Sequence, residues 1–328
     1  MERKEGSLMP ENQNANGEHW TRESVSILKQ LGWTQRGSCN FDIECIHHVK
    51  ERKGQKHGVD SFFEYYDPYY KSTQGILVES KCWEFYSITT ANIKKWMKQI
   101  TDCMECMQVS ETIQGLTTAP IKNALLMVWA NDEYDHKVFM DRLKKVGIAS
   151  KKYPCNIFVA SNQQILRWCS LISTLDKIKT QSTALKFIYP NVPTIGSDLI
   201  FSNQLTLTQM FSKYIFAEVE EQITDAIHGG TYPIKKLVVF CYEPATVNSL
   251  NFLYTLIKRL NFQSYPISEI YLNERETPIR QIISEFTNKR NQELKGDITR
   301  PSRVQVKYLD IFDGLQSVPD NIIHFEEA

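Results

Sequence analysis

The sequence predicts an α/β protein with two domains. Its length of 328 residues fits about two domains of ordinary size. Hydrophobic residues make up 42% of the chain and charged residues 23%, which is typical of globular proteins that bury a sizeable core. Along most of the chain, short apolar runs typical of strands alternate with segments of helical periodicity.

The charge balance and the apolar runs limit the classes of function. Lysine and arginine together number 38, as do aspartate and glutamate, so the net charge does not indicate a nucleic-acid partner. The longest apolar run, Ala124–Ala130, is far shorter than the roughly 18 residues that span a bilayer. Residues 1–17 are polar and lack the apolar centre of a signal peptide. We therefore expect a cytoplasmic protein with no membrane partner and with a disordered polar tail at residues 1–17.

An amphipathic helix and three strands are predicted first. The helix covers Trp20–Trp33, where apolar residues fall on one side and Gly32 marks the end. Residues 40–49 alternate enough for a short strand, and a second strand is expected to begin at Val59. The turn residues PYYKSTQG then precede a third strand, Ile76–Trp83.

Helices and strands alternate after the third strand. A helix is predicted over Thr90–Met107, because its apolar residues recur at helical spacing while three lysines project elsewhere. The next elements are a strand at 123–130, a helix at 134–146, a strand at 155–161 and a helix at 163–175. Together these elements predict a mixed α/β unit, and the polar stretch DKIKTQST, residues 176–183, is the expected linker to a second domain.

The second half of the chain is predicted to form another α/β domain, residues 181–328. Its expected elements are a strand at 185–190, a long helix at 207–227, a strand at 235–242, a helix at 246–260, a strand at 268–272, a helix at 278–294 and a strand at 304–312. Since strands alternate with helices, we expect a largely parallel sheet covered on both faces. No glycine-rich phosphate loop occurs at its strand-to-helix turns, so recognition, sensing or assembly is the expected role.

Two opposite charges stand at the end of the third strand, in ILVESK. Side chains two apart share a strand face, so Leu77, Glu79 and Lys81 point one way while Val78 points the other. A metal-dependent phosphodiesterase uses such a pair: the carboxylate binds Mg²⁺ and the lysine acts on the attacking water and the phosphate. A second carboxylate is expected from the neighbouring strand, and Asp60 qualifies. The alternative is an ordinary exposed cross-strand pair at a sheet edge.

Asp60 in HGVD, followed by Glu79 and Lys81 in ILVESK, resembles the signature of the PD-(D/E)xK nuclease superfamily. The spacing is most similar to Mrr-like restriction endonucleases and archaeal Holliday-junction resolvases, over roughly residues 18–160. The resemblance implies a restriction-endonuclease-like core, a mixed sheet flanked by helices, within a nuclease-like domain at residues 18–180. Two features depart from the family pattern: no proline precedes Asp60, and the linker to Glu79 is long and aromatic.

The resemblance also implies roles for individual residues. Asp60 and Glu79 would ligate Mg²⁺, with Mn²⁺ as an alternative, helped by the main-chain carbonyl of Ser80. Lys81 would serve the water and the phosphate. Glu23 on the first helix would be a supporting catalytic acid.

Two further positions and the activity follow from the same resemblance. Glu18 is the alternative to Glu23, and Gln99 falls where many members place a polar site residue. The implied activity is that of a Mg²⁺-dependent DNA endonuclease of a prokaryotic antiphage defence module, partnered by DNA and by a second copy, a second protein subunit, or both. A non-catalytic nucleic-acid-binding or scaffold subunit that retains the fold is one alternative. A C-terminal ligand sensor that uses the first half as its output is another.

Basic residues flank the motif on both sides. The run HHVKERKGQKH, residues 47–57, precedes Asp60, and Lys94, Lys95 and Lys98 follow it on the next helix. Phosphate contacts are expected there, and solvated loop and helix faces are the alternative. In the second half, Lys235, Lys236 and the stretch 289–307 could extend this surface or contact a partner.

The cysteines and histidines offer a weaker metal signal. Eight irregularly spaced cysteines do not suggest a disulfide framework. Cys103 and Cys106 have the spacing of half a zinc site, but buried helix cysteines are the alternative. His47, His48 and His57 are further candidate ligands, although histidines in loops are usually not ligands.

Overall fold

A computed structural model of the chain describes residues 10–48, 56–147, 153–190, 199–224, 229–273, 277–295 and 303–310. These residues divide into two units. The first contains the described residues up to Tyr66 and from Ser72 to Leu166, and the second contains Asp67–Lys71 and the described residues from Arg167 onward. Within the described part of the chain, no helix is long and apolar enough to cross a membrane.

The first half of the chain contains seven strands. They are β1 (Thr34–Gln35), β2 (Phe41–Glu44), β3 (Lys56–Val59), β4 (Ser61–Asp67), β5 (Ser72–Trp83), β6 (Ile121–Ala130) and β7 (Asn156–Ala160). The main sheet has the order β1-β4-β5-β6-β7, in which β5, β6 and β7 are parallel and β1 is antiparallel to β4. Strands β2 and β3 form a separate antiparallel pair that leads into the main sheet.

Helices cover both faces of this sheet. They are α1 (Pro10–Gln30), α2 (Thr90–Met107), α3 (Glu111–Leu116) and α4 (His136–Lys144), with a short 3₁₀ helix at Phe85–Ser87. The next helix, α5 (Asn162–Gln181), belongs to the second unit from Arg167 onward. Leu77 of β5 packs in one core with apolar residues of α2, whereas Trp20 of α1 stacks on Trp129 of β6. In the parallel register Trp129 lies opposite Cys82, on the sheet face that Val78 shares. The predicted mixed sheet flanked by helices is therefore confirmed.

The second unit is built on a six-stranded sheet. Its strands are β8 (Ala184–Tyr189), β9 (Ile200–Ser202), β10 (Tyr214–Thr224), β11 (Thr231–Cys241), β12 (Ile267–Leu272) and β13 (Arg303–Tyr308), in the order β13-β12-β11-β10-β8-β9. Its helices are α6 (Leu207–Met210), α7 (Val247–Arg259) and α8 (Thr277–Lys295), with a 3₁₀ helix at Phe262–Ser264. Apolar residues of α7 and α8 share one core with β11 and β12.

This second sheet is mixed rather than largely parallel. Strands β11, β12 and β13 are parallel, but β10 is antiparallel to both β11 and β8, and β8 is antiparallel to β9. The difference arises at residues 207–227, which were predicted to form one long helix and instead form α6 and then β10. Glutamate, glutamine and alanine favour helices in isolation. Ile215, Ala217 and Val219 are buried in β10, which pairs with β11 on one side and β8 on the other, so tertiary packing overrides propensity here.

Two predicted boundaries also differ from the structure. Helix α1 begins at Pro10 rather than at Trp20, so residues 10–17 of the predicted disordered tail are helical, while residues 1–9 lie outside the described residues. Helix α5 runs to Gln181, so most of the predicted linker at 176–183 is helical. The division of function between residues 18–180 and 181–328 stays a prediction.

A largely buried ion network crosses four strands of the second unit. The Glu269 carboxylate accepts hydrogen bonds from Lys236 at 3.0 Å and from Tyr271 at 3.1 Å, and it lies 2.9 Å from the Lys307 ammonium. Lys236 also pairs with Glu221. Burial alone would raise the pKa of Glu269, but the two lysines outweigh it and lower that pKa. Lys236, a candidate for nucleic-acid contact, is thus 5% exposed and held by carboxylates.

Replacing Glu269 by glutamine should lower the free energy of unfolding by about 3 kcal/mol at neutral pH, because it removes one of the two carboxylates that compensate a buried lysine. The pKa of Glu269 is lowered in the folded protein. Its stabilisation is therefore present above the unfolded pKa and is lost as the pH falls through the folded pKa. Denaturant unfolding of both proteins at neutral and acidic pH measures this.

The matched control is Asp176→Asn, which breaks an exposed ion pair of 3.6 Å with Lys179. It should change stability by less than about 0.5 kcal/mol. Equal effects of the two substitutions would contradict a stabilising role for the buried network.

Candidate active site

Asp60 lies at the corner between β3 and β4. It is the single residue that separates these strands. Its Oδ2 atom accepts a hydrogen bond of 2.8 Å from the backbone amide of Ser80, and its carbonyl oxygen accepts one of 3.0 Å from the amide of Asn40. These bonds hold the Asp60 carboxylate against β5, as the sequence predicted from the turn between the two segments.

Glu79 and Lys81 project from the same face of β5, beside Asp60. The Lys81 Nζ atom lies 2.5 Å from Glu79 Oε1 and 3.5 Å from Asp60 Oδ2. The three side chains are between 13% and 22% exposed, and β5 lies inside the sheet between β4 and β6. The alternative of an exposed pair at a sheet edge is therefore wrong.

The electrostatics of this trio leave an excess of negative charge. Burial raises the pKa of Glu79 to about 7, with the Asp60 charge adding to the shift and Lys81 opposing it. Burial disfavours the charged form of Lys81 as well, but Glu79 and Asp60 outweigh it and raise the pKa of the ammonium. When both carboxylates are ionised, one lysine balances only one of them. The site therefore favours an additional cation.

The donor set fits a hard divalent cation. Two carboxylates side by side are typical ligands of Mg²⁺, which is bound by one or two carboxylates together with water and phosphate oxygens. Asp60 and Glu79 supply these carboxylates from different strands, and both lie next to the same ammonium. A contribution from the Ser80 carbonyl stays a prediction, since the described contact of Ser80 with Asp60 is made by its amide.

Two clefts open at the trio. One, of about 260 Å³, is lined by Lys56, His57, Gly58, Asp60, Glu79, Lys81, Gln99 and Cys103. The other, of about 330 Å³, is lined by Gly17, Glu18, Thr21, Asn40, Asp60, Ser80, Lys81, Cys82 and Trp83. Gln99 of α2 thus faces the cleft that contains the trio, where the resemblance placed a polar residue. The smaller cleft gives a ligand access to both carboxylates, and the larger one gives access to Asp60 and Lys81.

The two candidate acids of α1 lie in different surroundings. Glu18 is exposed and lines the larger cleft with Asp60 and Lys81. Glu23 is buried, and its Oε1 atom lies 2.6 Å from His19 Nε2. Its charge also adds to the burial that raises the pKa of Cys82 to about 11. The structure therefore brings Glu18 into the cleft, and the catalytic role of Glu23 stays a prediction.

The predicted basic flanks are partly described. Lys50, Arg52 and Lys53 lie outside the described residues. Lys56 lines the smaller cleft and lies 3.6 Å from Glu44 in an exposed pair. On α2, Lys94 and Lys95 are exposed, whereas Lys98 pairs with the buried Asp102 at 2.8 Å. Lys56 is therefore the lysine of the predicted flanks that lines the smaller cleft among the described residues, and Lys94 and Lys95 are exposed on the helix that also carries Gln99.

The two cysteines of α2, Cys103 and Cys106, lie in different surroundings. Cys103 lines the smaller cleft, whereas Cys106 lies with Cys45, His48 and His57 in a separate cluster. The sequence prediction considered Cys106 and both histidines but missed Cys45. The available signal was the short spacing CIHH, which places a cysteine three residues before His48.

Comparison with known families agrees with this geometry. Residues 9–164 match a family model described as the PD-(D/E)XK nuclease domain of the GAPS4 protein. The matched segment includes Asp60, Glu79 and Lys81, and it extends close to the limits of the resemblance found in the sequence, roughly 18–160. A search of curated proteins gives no match. The predicted resemblance to PD-(D/E)xK nucleases is confirmed by the family match.

In EDTA, the stability of the protein should fall between about pH 5 and about pH 8 because of Glu79. The pKa of Glu79 is raised to about 7 in the folded protein. Over this window the folded state holds a proton that the unfolded state has lost, and the difference corresponds to about 3 kcal/mol. Glu79→Gln should remove this part of the pH dependence, as measured by denaturant midpoints at both pH values.

The exposed Glu133 supplies the control. Glu133→Gln should keep the pH dependence of the wild-type protein. If the stability of Glu79→Gln changed with pH as much as that of the wild-type protein, burial of the Glu79 carboxyl would not be the cause of this pH dependence.

Proposed function

Because residues 9–164 match a PD-(D/E)XK nuclease domain model, we propose that this protein is a Mg²⁺-dependent endonuclease that hydrolyses phosphodiester bonds in DNA. The observation that carries the proposal is the convergence of Asp60, Glu79 and Lys81 at an accessible cleft. Two buried carboxylates with one lysine form an arrangement that suits phosphodiester hydrolysis and adds no stability of its own in the absence of a cation.

Asp60 and Glu79 would hold the divalent ion, with Mn²⁺ as an alternative to Mg²⁺ and with the Ser80 carbonyl as a further ligand. The bound ion would polarise the scissile phosphate and lower the pKa of water. The protein itself fixes the two carboxylates. The Ser80 amide restrains Asp60, and the position of Glu79 within a central strand restrains the other carboxylate. Such restraint lowers the reorganisation needed during the reaction.

Lys81 would act as a cation rather than as a base. Its pKa is raised by the neighbouring carboxylates, so the side chain stays protonated at neutral pH. A protonated lysine can orient the attacking water and offset the negative charge that develops on the phosphate. Gln99, on the wall of the same cleft, would add a hydrogen bond to water or phosphate.

DNA is the proposed substrate, and the exposed Lys56, Lys94 and Lys95 support it. Lys56 lines the cleft, and Lys94 and Lys95 lie on the helix that carries Gln99, so we propose that these lysines contact backbone phosphates. A homodimer would present two sites related by a twofold axis, which suits cleavage of both strands of a duplex. We also propose a second protein subunit as partner and a role in prokaryotic antiphage defence in the cytoplasm, as the resemblance implies.

The alternative is a non-catalytic nucleic-acid-binding or scaffold subunit that retains the fold. The intact charged trio favours the enzyme, because a subunit without catalysis gains nothing from two buried carboxylates beside one lysine. If the protein is an enzyme, the second unit would serve recognition, sensing or assembly. A higher melting temperature on addition of nucleotides would instead favour the other alternative, in which the second unit is a ligand sensor that uses the first half as its output.

Purified protein should cleave supercoiled plasmid, linear duplex or single-stranded DNA in the presence of Mg²⁺. Asp60→Ala removes a metal ligand and Lys81→Ala removes the cation. Each should lower the rate by at least about a hundredfold, and EDTA should abolish cleavage. Gel-based cleavage rates on the three DNAs measure this.

Lys179→Ala is the matched control, because Lys179 is an exposed lysine of α5 outside the proposed machinery. It should cleave as the wild-type protein does. Cleavage that survives in both Asp60→Ala and Lys81→Ala would overturn the proposed site. DNA binding without cleavage under every metal condition would favour the non-catalytic alternative.

Glu18 and Glu23 can be separated by conservative substitution. Glu18→Gln should lower the cleavage rate by about tenfold, since Glu18 lines the cleft. Glu23→Gln should mainly lower the melting temperature, since Glu23 is buried and paired with His19. A lower rate at unchanged melting temperature in Glu23→Gln alone would assign the supporting acid to Glu23 instead.

A further inference from the structure

Four metal-ligating side chains meet beside the smaller cleft. Cys45 follows β2, His57 lies in β3, His48 lies in the segment after β2, and Cys106 lies in the last turn of α2. One ligand atom from each lies within 4.8 Å of all the others. All four residues are buried or nearly so, with Cys106 fully inaccessible. The cluster shares no ligand with the trio of Asp60, Glu79 and Lys81.

The distances suit a tetrahedral ion. An ion with sulfur at about 2.3 Å and nitrogen at about 2.0 Å separates its ligand atoms by roughly 3.3 to 3.8 Å. The Cys106 Sγ atom lies 3.7 Å from His48 Nδ1. The remaining separations are at most 4.8 Å, so small side-chain rotations would bring all four atoms onto one ion.

The surroundings of His48 and Cys106 support ligation. The Nε2 atom of His48 lies 2.9 Å from the Glu105 carboxylate, so its Nδ1 atom is the one directed at Cys106. A histidine that ligates a metal commonly donates its other ring N–H to a carboxylate in this manner. The amides of Ile46 and His47 donate to Cys106 Sγ at 3.3 and 3.5 Å. Amide hydrogen bonds of this kind stabilise a thiolate.

We propose that Cys45, His48, His57 and Cys106 form a tetrahedral Zn²⁺ site that is structural and separate from the carboxylate site. Thiolate and imidazole ligands select zinc over magnesium, whereas the carboxylates of Asp60 and Glu79 have the opposite preference. Two thiolates would neutralise the charge of the ion, which suits a buried position. Four protein ligands leave no open coordination position, as in structural zinc sites.

A competing set shares His48 and consists of His48, Asp102 and Glu105. In that set Asp102 is already paired with Lys98 at 2.8 Å. Glu105 is bonded to His48 Nε2, the ring atom that points away from Cys106. These carboxylates therefore orient His48 for the sulfur-containing site rather than bind the ion themselves.

The site would fix the approach to the nuclease cleft. It would join the hairpin of β2 and β3 to the end of α2, three elements of the same unit. His57 precedes Asp60 by three residues on one short strand and its corner. Loss of zinc should thus loosen the segment that carries Asp60, although zinc itself would not touch the substrate.

The first test uses the full-length wild-type protein. Purified without chelators, it should contain one zinc per chain by elemental analysis. Replacement with Co²⁺ should give the visible bands of tetrahedral cobalt together with a thiolate-to-cobalt charge-transfer band. Absence of bound zinc, or cobalt spectra without the charge-transfer band, would overturn the proposal. Neither measurement depends on nuclease activity.

Variants then locate the site. Cys45→Ser and Cys106→Ser should lose zinc and the charge-transfer band, whereas Cys103→Ser, the control on the same helix, should keep both. Asp60→Ala should also keep both, because the carboxylate site is separate. Glu105→Gln should weaken zinc binding by about ten- to a hundredfold. Loss of metal in Asp102→Asn with retention in Cys45→Ser would assign the ion to the carboxylate set and overturn the proposal.

Discussion

The first unit depends on holding two carboxylates and one ammonium together inside a covered sheet. Charged groups lose hydration when they are buried, so this arrangement persists only because its surroundings are rigid. Apolar cores on both faces of β5 supply that rigidity through Leu77 on one side and Val78 on the other. The backbone amide of Ser80 adds a direct restraint on Asp60. The hydrophobic packing of the fold thus keeps the charges in place.

The same segment serves two metals of different chemistry under the proposals made above. Strand β3 and its corner carry His57 and, three residues later, Asp60. A closed thiolate–imidazole site needs no water, whereas a carboxylate site must leave positions for water and phosphate. The closed site would lie where β3 meets the last turn of α2, beside the smaller cleft, and the open site would lie at the carboxylates within that cleft. Ligand hardness keeps the two ions from exchanging places.

Local sequence patterns predicted the helices and strands whose buried residues recur at a regular spacing. Helix α2 was predicted over Thr90–Met107 and has these bounds, because its apolar residues recur on one face. The pair of Glu79 and Lys81 was predicted because a period of two puts them on one strand face. Strand β10 was missed because its glutamates favour a helix until β11 pairs with it.

Contacts between distant segments were harder to predict. Cys106 meets Cys45 across about sixty residues of sequence, and only the packing of α2 on the hairpin brings them together. Cys103 and Cys106 are close in sequence but lie in different surroundings, which their spacing did not reveal. The placement of Glu18 rather than Glu23 at the cleft also depends on how α1 lies against the sheet. A helical period alone does not fix that orientation.

Two buried ion networks among the described residues differ in how fully their carboxylates are balanced by lysines. In the second unit, Glu269 is matched by Lys236 and Lys307, and the pKa of its carboxyl is lowered. In the first unit, burial raises the pKa of Glu79 to about 7, and Lys81, which opposes this shift, is shared with Asp60. A balanced network stabilises the fold by itself, whereas an unbalanced one remains costly until a cation joins it. The imbalance at Glu79 therefore supports the proposal that this site binds a cation.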